Sequence, residues 1–202
     1  MNEIQLQQGN GLVIVAHPDD ETIWMGGAIF QNPQIKWTIF SLCRSNDKDR
    51  APKFRHVCKY FNARGIISDL EDEGIMNIKE SLPEIKKRIL VALHQKRFDY
   101  IFTHGHSGEY GHPRHKGIHR AVLELLRKKK ISASRVFGFA YRPNPKGDFA
   151  VPDGNAEYSL KLSLSIFRKK KLLIEKIYGF GMQSFESKSS SQRETFRAIH
   201  IR

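Results

Sequence analysis

Two short segments concentrate side chains able to bind a cation and move protons: Ala16-His17-Pro18-Asp19-Asp20-Glu21 and Glu109-Tyr110-Gly111-His112-Pro113-Arg114-His115. The first sets one imidazole beside two adjacent carboxylates, and the second sets two imidazoles three residues apart. Imidazole nitrogen and carboxylate oxygen suit a zinc-like divalent ion. A catalytic centre of that kind takes three protein ligands and keeps a position for water. His17, Asp20 and His115 are the candidate ligands, for Zn2+ in the first place and Fe2+ in the second. Neighbouring residues on a tight turn point in different directions, which leaves Asp19 as a general base while Asp20 ligates. His112 then remains to protonate a leaving group or to stabilise an oxyanion. Each segment taken singly has a plainer reading, with Asp19 or Asp20 capping a helix and the histidines lying in polar loops. Their pairing at the ends of two strands favours chemistry. His104, His106 and His119 read as polar loop positions.

The elements that must position these residues follow from periodicity. Short apolar runs alternate with amphipathic stretches, the pattern of a mostly parallel sheet with crossover helices. Strands are predicted at 12–16, 35–41, 66–67, 100–103 and 135–140, and helices at 20–30, 52–62, 83–95 and from about 113 to the basic run 127–130. Residues 142–147 read as a turn. A helix is expected over 164–178, a mobile Ser-rich segment over 187–192, and a last strand near 196–201. The fold class is α/β, a Rossmann-like three-layer sandwich with helices on both faces of the sheet, and 1–202 reads as a single domain. In such a sheet the loops leaving the carboxyl ends of the strands build the binding site, and both chemical segments fall on such loops.

The chain has 202 residues, 34 Lys+Arg against 21 Asp+Glu, and a formal charge of +13. An apolar content of 40% fits a globular chain with a substantial core. Two cysteines, Cys43 and Cys58, form no CxxC pattern and provide neither a disulfide framework nor a thiolate zinc site. No run approaches the ~18 apolar residues of a membrane span, and the first ten residues do not resemble a secretory signal. A cytoplasmic enzyme is the expectation. The charge raises the question of anionic partners. The runs 127–130 and 168–171 carry no interleaved aromatic platform, so specific nucleic-acid binding is not expected. Peripheral attraction to an anionic membrane surface stays open as a hypothesis.

At the two chemical segments the sequence resembles the PIG-L/LmbE-like metal-dependent de-N-acetylases, which remove acetyl groups from N-acetylglucosaminyl compounds. The resemblance rests on the signature Ala16 to Glu21, the pair Gly26-Gly27, and Tyr110-Gly111-His112-Pro113-Arg114-His115, and it extends by element order over roughly 11–140. It implies His17, Asp20 and His115 as zinc ligands, Asp19 as general base, and His112 as the group polarising the carbonyl or protonating the amine. It also implies Tyr110 beside the reacting carbonyl. Arg50, with Arg44 as the weaker candidate, matches a family position where an arginine meets substrate, and the acidic cluster 69–73 could face the same site. One departure stands out: Arg114 replaces the family's Asp between Pro and the second His. An arginine beside His112 would disfavour its protonated form.

The function implied is hydrolysis of an N-acetylated aminosugar, with a phosphorylated or lipid-linked aminosugar as a substrate suggested by the charge. Two rivals are an amidase acting on a non-acetyl amide such as a thiol conjugate, and a non-catalytic Rossmann-like sugar- or nucleotide-binding protein. The absence of GxGxxG after the first strand, and the carboxylates standing where a pyrophosphate would lie, weigh against the last.

Overall fold

The computed structural model describes residues 1–201. Ten strands and six helices follow one another as β1 (Asn2–Glu3), β2 (Gly9–Val15), α1 (Asp20–Gln31), β3 (Ile35–Cys43), α2 (Arg50–Tyr60), β4 (Arg64–Leu70), α3 (Ile78–Ala92), β5 (Arg97–Thr103), α4 (Pro113–Arg127), β6 (Ser132–Phe139), β7 (Tyr141–Pro143), β8 (Ala150–Pro152), β9 (Tyr158–Lys161), α5 (Leu164–Leu172), α6 (Phe185–Ser189) and β10 (Arg193–Ala198). A π-helical turn, Leu173–Ile177, continues α5.

Eight strands form one sheet in the order β1-β9-β10-β6-β5-β2-β3-β4, and β7 and β8 form a separate hairpin. The pairs β5–β6, β2–β5, β2–β3 and β3–β4 are parallel, whereas β10 runs antiparallel to β6 and β9. Continuous apolar runs suit strands covered on both faces, and β2 shows why. Val13 and Val15 enter one core with α1, α2 and the π turn, while Leu12 and Ile14 enter the other with α3 and α4. The result is three layers, helices–sheet–helices. Among the described residues no helix is long and apolar enough to cross a membrane.

The chain leaves β2 toward β3 on one side and later returns to β5 on the other. That reversal opens a crevice at the carboxyl ends of β2 and β5, where ligands bind in open α/β sheets. The loops that follow these strands carry the two chemical segments.

The structure departs from the sequence expectations at three places. Helix α3 begins at Ile78 and not at Pro83: Asn77 accepts from Glu80 N at 3.0 Å and Glu80 Oε2 accepts from Asn77 N at 2.9 Å, a capping box that places Pro83 inside the helix. The predicted turn at 142–147 is flanked by paired strands β7 and β8. The Ser-rich stretch expected to be mobile overlaps α6, where Ser187 and Ser189 are buried, as is Ser190 just after it. Ser189 Oγ accepts from Ala150 N at 3.0 Å, and Ser187 Oγ donates to Glu175 Oε1 at 2.7 Å, so hydroxyls that looked solvated are spent on tertiary bonds.

Candidate active site

His17, Asp19 and Asp20 occupy the β2–α1 turn. Asp19 has φ 123°, a strained conformation for a residue with a Cβ. Its carbonyl accepts from Thr22 N and Ile23 N at 2.9 and 2.8 Å, and its N–H donates to Glu21 Oε2 at 3.1 Å. Glu21 is in turn held by the Tyr178 hydroxyl at 2.8 Å. The backbone is thus pinned while the Asp19 carboxylate makes no capping bond and meets Arg50 Nη1 at 2.7 Å. Asp20 turns the other way: its Oδ1 accepts from Trp24 Nε1 at 2.8 Å and its Oδ2 from His17 N at 2.8 Å.

Across the crevice, the loop after β5 is shaped by three left-handed residues, Gly108, Glu109 and Gly111. A Cβ on Gly108 would lie 2.8 Å from His112 O, so glycine is required there. The loop delivers His115 from the first turn of α4 toward Asp20. His17 Nδ1 and Asp20 Oδ2 are 3.3 Å apart, and His115 Nε2 lies 3.4 Å from each of them. Donors held about 2.0–2.1 Å from a tetrahedral ion stand about 3.3 Å apart, so the three atoms form one face of such a tetrahedron. The donor set and its spacing fit a divalent cation.

Each imidazole's far nitrogen is fixed by a carboxylate, which aims the near lone pair inward. Asp72 Oδ2 holds His17 Nε2 at 3.0 Å, and Glu109 Oε2 holds His115 Nδ1 at 2.6 Å. The same Glu109 oxygen binds His104 Nδ1 at 2.8 Å, and Glu109 Oε1 accepts from Gly105 N at 2.7 Å. His104 stacks on His115 with centroids 3.7 Å apart and accepts from Ala16 N at 2.9 Å. Burial alone would lower His17 and His115, but hydrogen bonds and charge from Asp20, joined by Asp72 for the first and Glu109 for the second, raise them to about 10 and about 9. Glu109 is brought down to about 2, its burial outweighed by His104 and His115.

With this geometry, comparison with known proteins is direct. A family model described as PIG-L, GlcNAc-PI de-N-acetylase, matches residues 12–126. The chain belongs to the PIG-L family. A curated relative, uncharacterized protein L374 of Acanthamoeba polyphaga mimivirus, is 23% identical over 185 residues, covering 84% of this chain and 75% of that protein. Among solved structures, N,N'-diacetylchitobiose deacetylase from Pyrococcus horikoshii superposes with TM-score 0.70 at 14% identity, covering 94% of this chain and 83% of the other. A conserved protein from Thermus thermophilus, TT1542, gives 0.66 at 16% identity over 95% of both chains. At such identities the structural matches establish a shared fold.

In this PIG-L family member a cavity of about 310 Å³ adjoins the three donors, lined by Asp19, Arg44, Asp47, Arg50, Tyr110 and Glu186 among others. His17, Asp19, Asp20, Arg50 and Tyr110 line this cavity; His115 meets Asp20 and His17 from behind them, and the His112 ring centroid lies 4.9 Å from that of His17 and 4.6 Å from that of His115. Arg44, the weaker candidate, also lines the cavity and pairs with Asp72 at 3.0 Å, so it is more than a solvated charge. Arg114 does not act on His112 as expected. Its guanidinium turns to Glu71 at 2.9 Å and toward Asp72 at 3.9 Å. His112 is instead lowered to about 4 by burial and by the neighbouring His115 and His17. Its Nδ1 accepts from Arg114 N at 3.2 Å, which puts the proton of the neutral ring on Nε2.

His104 and Tyr178 are the site residues that the sequence does not mark; Asp72 falls in the acidic cluster 69–73 and Glu109 in the second chemical segment, but their partners are His17 and the His104–His115 pair. His104 was read as a polar loop residue, yet it is fully buried because Glu109 and the Ala16 N–H satisfy both ring nitrogens. Its position directly after the apolar strand β5, matching that of His17 after β2, was the available signal. His119, read likewise, sits in α4 and bonds to His104 O at 2.8 Å.

Proposed function

We propose that this protein is a metal-dependent hydrolase that removes the acetyl group from an N-acetylated aminosugar. The observation that carries the reading is the triangle of His17 Nδ1, Asp20 Oδ2 and His115 Nε2, with the Asp19 carboxylate beside it at the edge of a polar cavity. Family membership supports it, as does the fold shared with a chitobiose deacetylase. A cavity of about 310 Å³ lies at the small end of ligand sites and suits one sugar ring. Its walls carry charges of both signs, which suits hydroxyl groups better than an apolar ligand.

His17, Asp20 and His115 would hold the cation, zinc in the first place and ferrous iron as the alternative. Such an ion supplies polarisation of the acetyl carbonyl and a lowered pKa for water. Asp19 takes a proton from the attacking water. Burial and the nearby Asp20 charge push its carboxyl well above the usual range, against the pull of Arg50 and His17, so it accepts and returns a proton readily. The water oxygen bonds to the acetyl carbon, the C–N bond breaks, and Asp19 hands the proton to the departing nitrogen, giving acetate and a free amine. His112 serves as a neutral donor, with Nε2–H available to the carbonyl oxygen as negative charge develops there. Arg50 orients Asp19 and meets substrate, and Tyr110 closes the cavity beside the acetyl group. The buried free thiols of Cys43 and Cys58 suit a reducing, cytoplasmic setting.

The test is metal analysis of the purified protein combined with acetate release from a panel of N-acetylglucosaminyl compounds, free, phosphorylated and lipid-linked, with non-acetyl amides as comparison. Asp19→Ala should retain the cation and lose activity by at least about a hundredfold, the scale of general-base catalysis. His115→Ala should lose both. Full turnover by the Asp19 variant would sink the assignment.

A further inference from the structure

The positive charge of the molecule barely reaches the cavity. Of the 34 lysines and arginines, Arg44 and Arg50 are the ones that line it, and carboxylates match both. Arg50 Nη1 lies 2.7 Å from Asp19 Oδ2, and Arg44 reaches Asp72 at 3.0 Å and Glu73 at 3.3 Å. The other carboxylates of the wall are committed too, with one exception. Asp20 accepts from Trp24 Nε1 at 2.8 Å and belongs to the triangle, and Asp47 Oδ1 accepts from Asp49 N and Arg50 N at 2.8 Å each. Glu186 lines the same cavity, half-buried, and its side chain has no hydrogen bond or ion pair among the described residues.

Glu186 is held in place by its neighbours. Ser187 Oγ donates to Glu175 Oε1 at 2.7 Å, Ser187 O accepts from Lys171 Nζ at 2.7 Å, and Ser184 Oγ caps α6 through Ser187 N at 3.1 Å. An aromatic pair stands beside it. The rings of Phe185 and Tyr110 both line the cavity, with centroids 4.5 Å apart and planes tilted by 60°. Tyr110 is in turn 5.4 Å from the His115 ring, so the pair carries the wall outward from the triangle. A ligand anchored at the triangle and longer than its acetamide meets Phe185 and Glu186 next. A hydroxyl group there would give Glu186 a hydrogen bond and leave its charge uncompensated as water is displaced. An ammonium group supplies both, and aromatic faces attract it as well. An anionic substituent would be repelled, with each guanidinium of the wall already matched.

We propose that Glu186, with Phe185 and Tyr110, forms a subsite for an ammonium group, and that the substrate is an N-acetylated aminosugar carrying a second, unacetylated amino group. The role of the acetamide rests on the deacetylase reading above. The ammonium subsite is measured without turnover.

Binding to the full chain is measured by ligand-observed NMR, at a pH at which the amines are protonated, for glucosamine and two diamines made by replacing its hydroxyl at the third or at the sixth carbon with an amino group. At least one diamine should bind about fivefold more tightly than glucosamine, the scale of a carboxylate pair and a cation–π contact at a half-buried site. The gain should shrink as salt rises. Glu186→Gln keeps the size of the side chain and removes a charge that has no partner, so its circular dichroism should match the wild type while the gain vanishes. Phe185→Leu should cut the gain to about twofold. On turnover, the same diamine acetylated at the second carbon alone should show a lower KM for acetate release than N-acetylglucosamine, and Glu186→Gln should erase that difference. Diamines that bind no more tightly than glucosamine overturn the inference, as does a gain undiminished in Glu186→Gln. Tighter binding of a phosphorylated glucosamine than of either diamine assigns the wall to an anion and overturns it as well. A gain in binding without acetate release leaves the ammonium subsite standing and removes the deacetylase reading, so the two failures are separable.

Discussion

Glu109 sets the direction of two imidazoles with a single carboxylate oxygen, at 2.6 Å from His115 and 2.8 Å from His104. An amide oxygen in that place could still accept from both rings, but it carries no charge, and the NH2 beside it would face the Gly105 N–H that now donates to the second carboxylate oxygen at 2.7 Å. Glu109→Gln should therefore leave the fold in place and weaken cation binding by about ten- to a hundredfold, as losses of such supporting partners do. A competition titration against a chromophoric chelator measures this, and unchanged affinity would refute it. The same residue predicts an acid limb. Glu109 is held at about 2 against an ordinary value of 4.5, so the folded state binds its proton less readily than the unfolded chain. Its contribution to stability is complete above about 4.5 and is lost as pH falls through about 2. Circular dichroism between these limits should show weakening in the wild type and a flatter profile in Glu109→Gln.

Helix α1 is continuous in sequence and broken in space, and the break shows how distant elements secure the catalytic turn. Met25 has φ −149°, outside the helical range. The carbonyl of Trp24 is taken by the Tyr141 hydroxyl at 3.0 Å. The N–H groups of Gly27 and Ala28 donate to the two oxygens of Glu194 at 2.8 Å each, so β10 caps the second half of the helix from outside. Lys170 neutralises that carboxylate at 2.7 Å with both groups fully buried. Lys170→Met strands a buried charge and should cost about 3–5 kcal/mol, read from the urea midpoint. The Gly26-Gly27 pair has a packing cause at its second position, where a Cβ would fall 2.3 Å from Leu162. Gly27→Ala should cost about 1–3 kcal/mol, and Leu162→Ala in the same chain should recover part of it. Much of the positioning was legible locally: the apolar runs marked the strands, and two histidine-carboxylate segments at strand ends marked the site. Locality also set the limit. The capping box at Asn77 and Glu80 was written in the sequence but masked by Pro83, which reads as a first-turn residue. His104, the serines of α6 and the Lys170–Glu194 pair look polar and solvated in sequence because the partners that bury them are remote. Short β1 and β9 carry no period at all: β9 exists because β10 offers an edge to pair with, and β1 because β9 in turn offers one.

At the scale of the molecule, the family model ends at residue 126, yet the last quarter of the chain is built into both the sheet and the site. Strand β10 pairs with β6 over Phe196–Phe139 to Ala198–Phe137, and β9 pairs with β10. Phe196, fully buried, stands 5.4 Å from Phe102 in the same core as Val13 and Trp24. Tyr178 secures Glu21 and through it the strained Asp19, while Phe185 and Glu186 form one wall of the cavity. A chain cut after Pro152 would expose the outer edge of β6, uncover α1, and leave Glu21 without its phenol donor. It should fail to give a cooperative fold, retaining far-ultraviolet dichroism but losing the near-ultraviolet signal of packed aromatics. The intact chain should melt in one step, with the fluorescence of Trp24 and Trp37, both buried in the same core, changing in parallel with the helical signal. Two separated transitions, or a native-like truncated protein, would mean that the last quarter is an appendage to the site. Coincident transitions would mean that the turn bearing His17, Asp19 and Asp20 takes its shape from residues more than a hundred positions away.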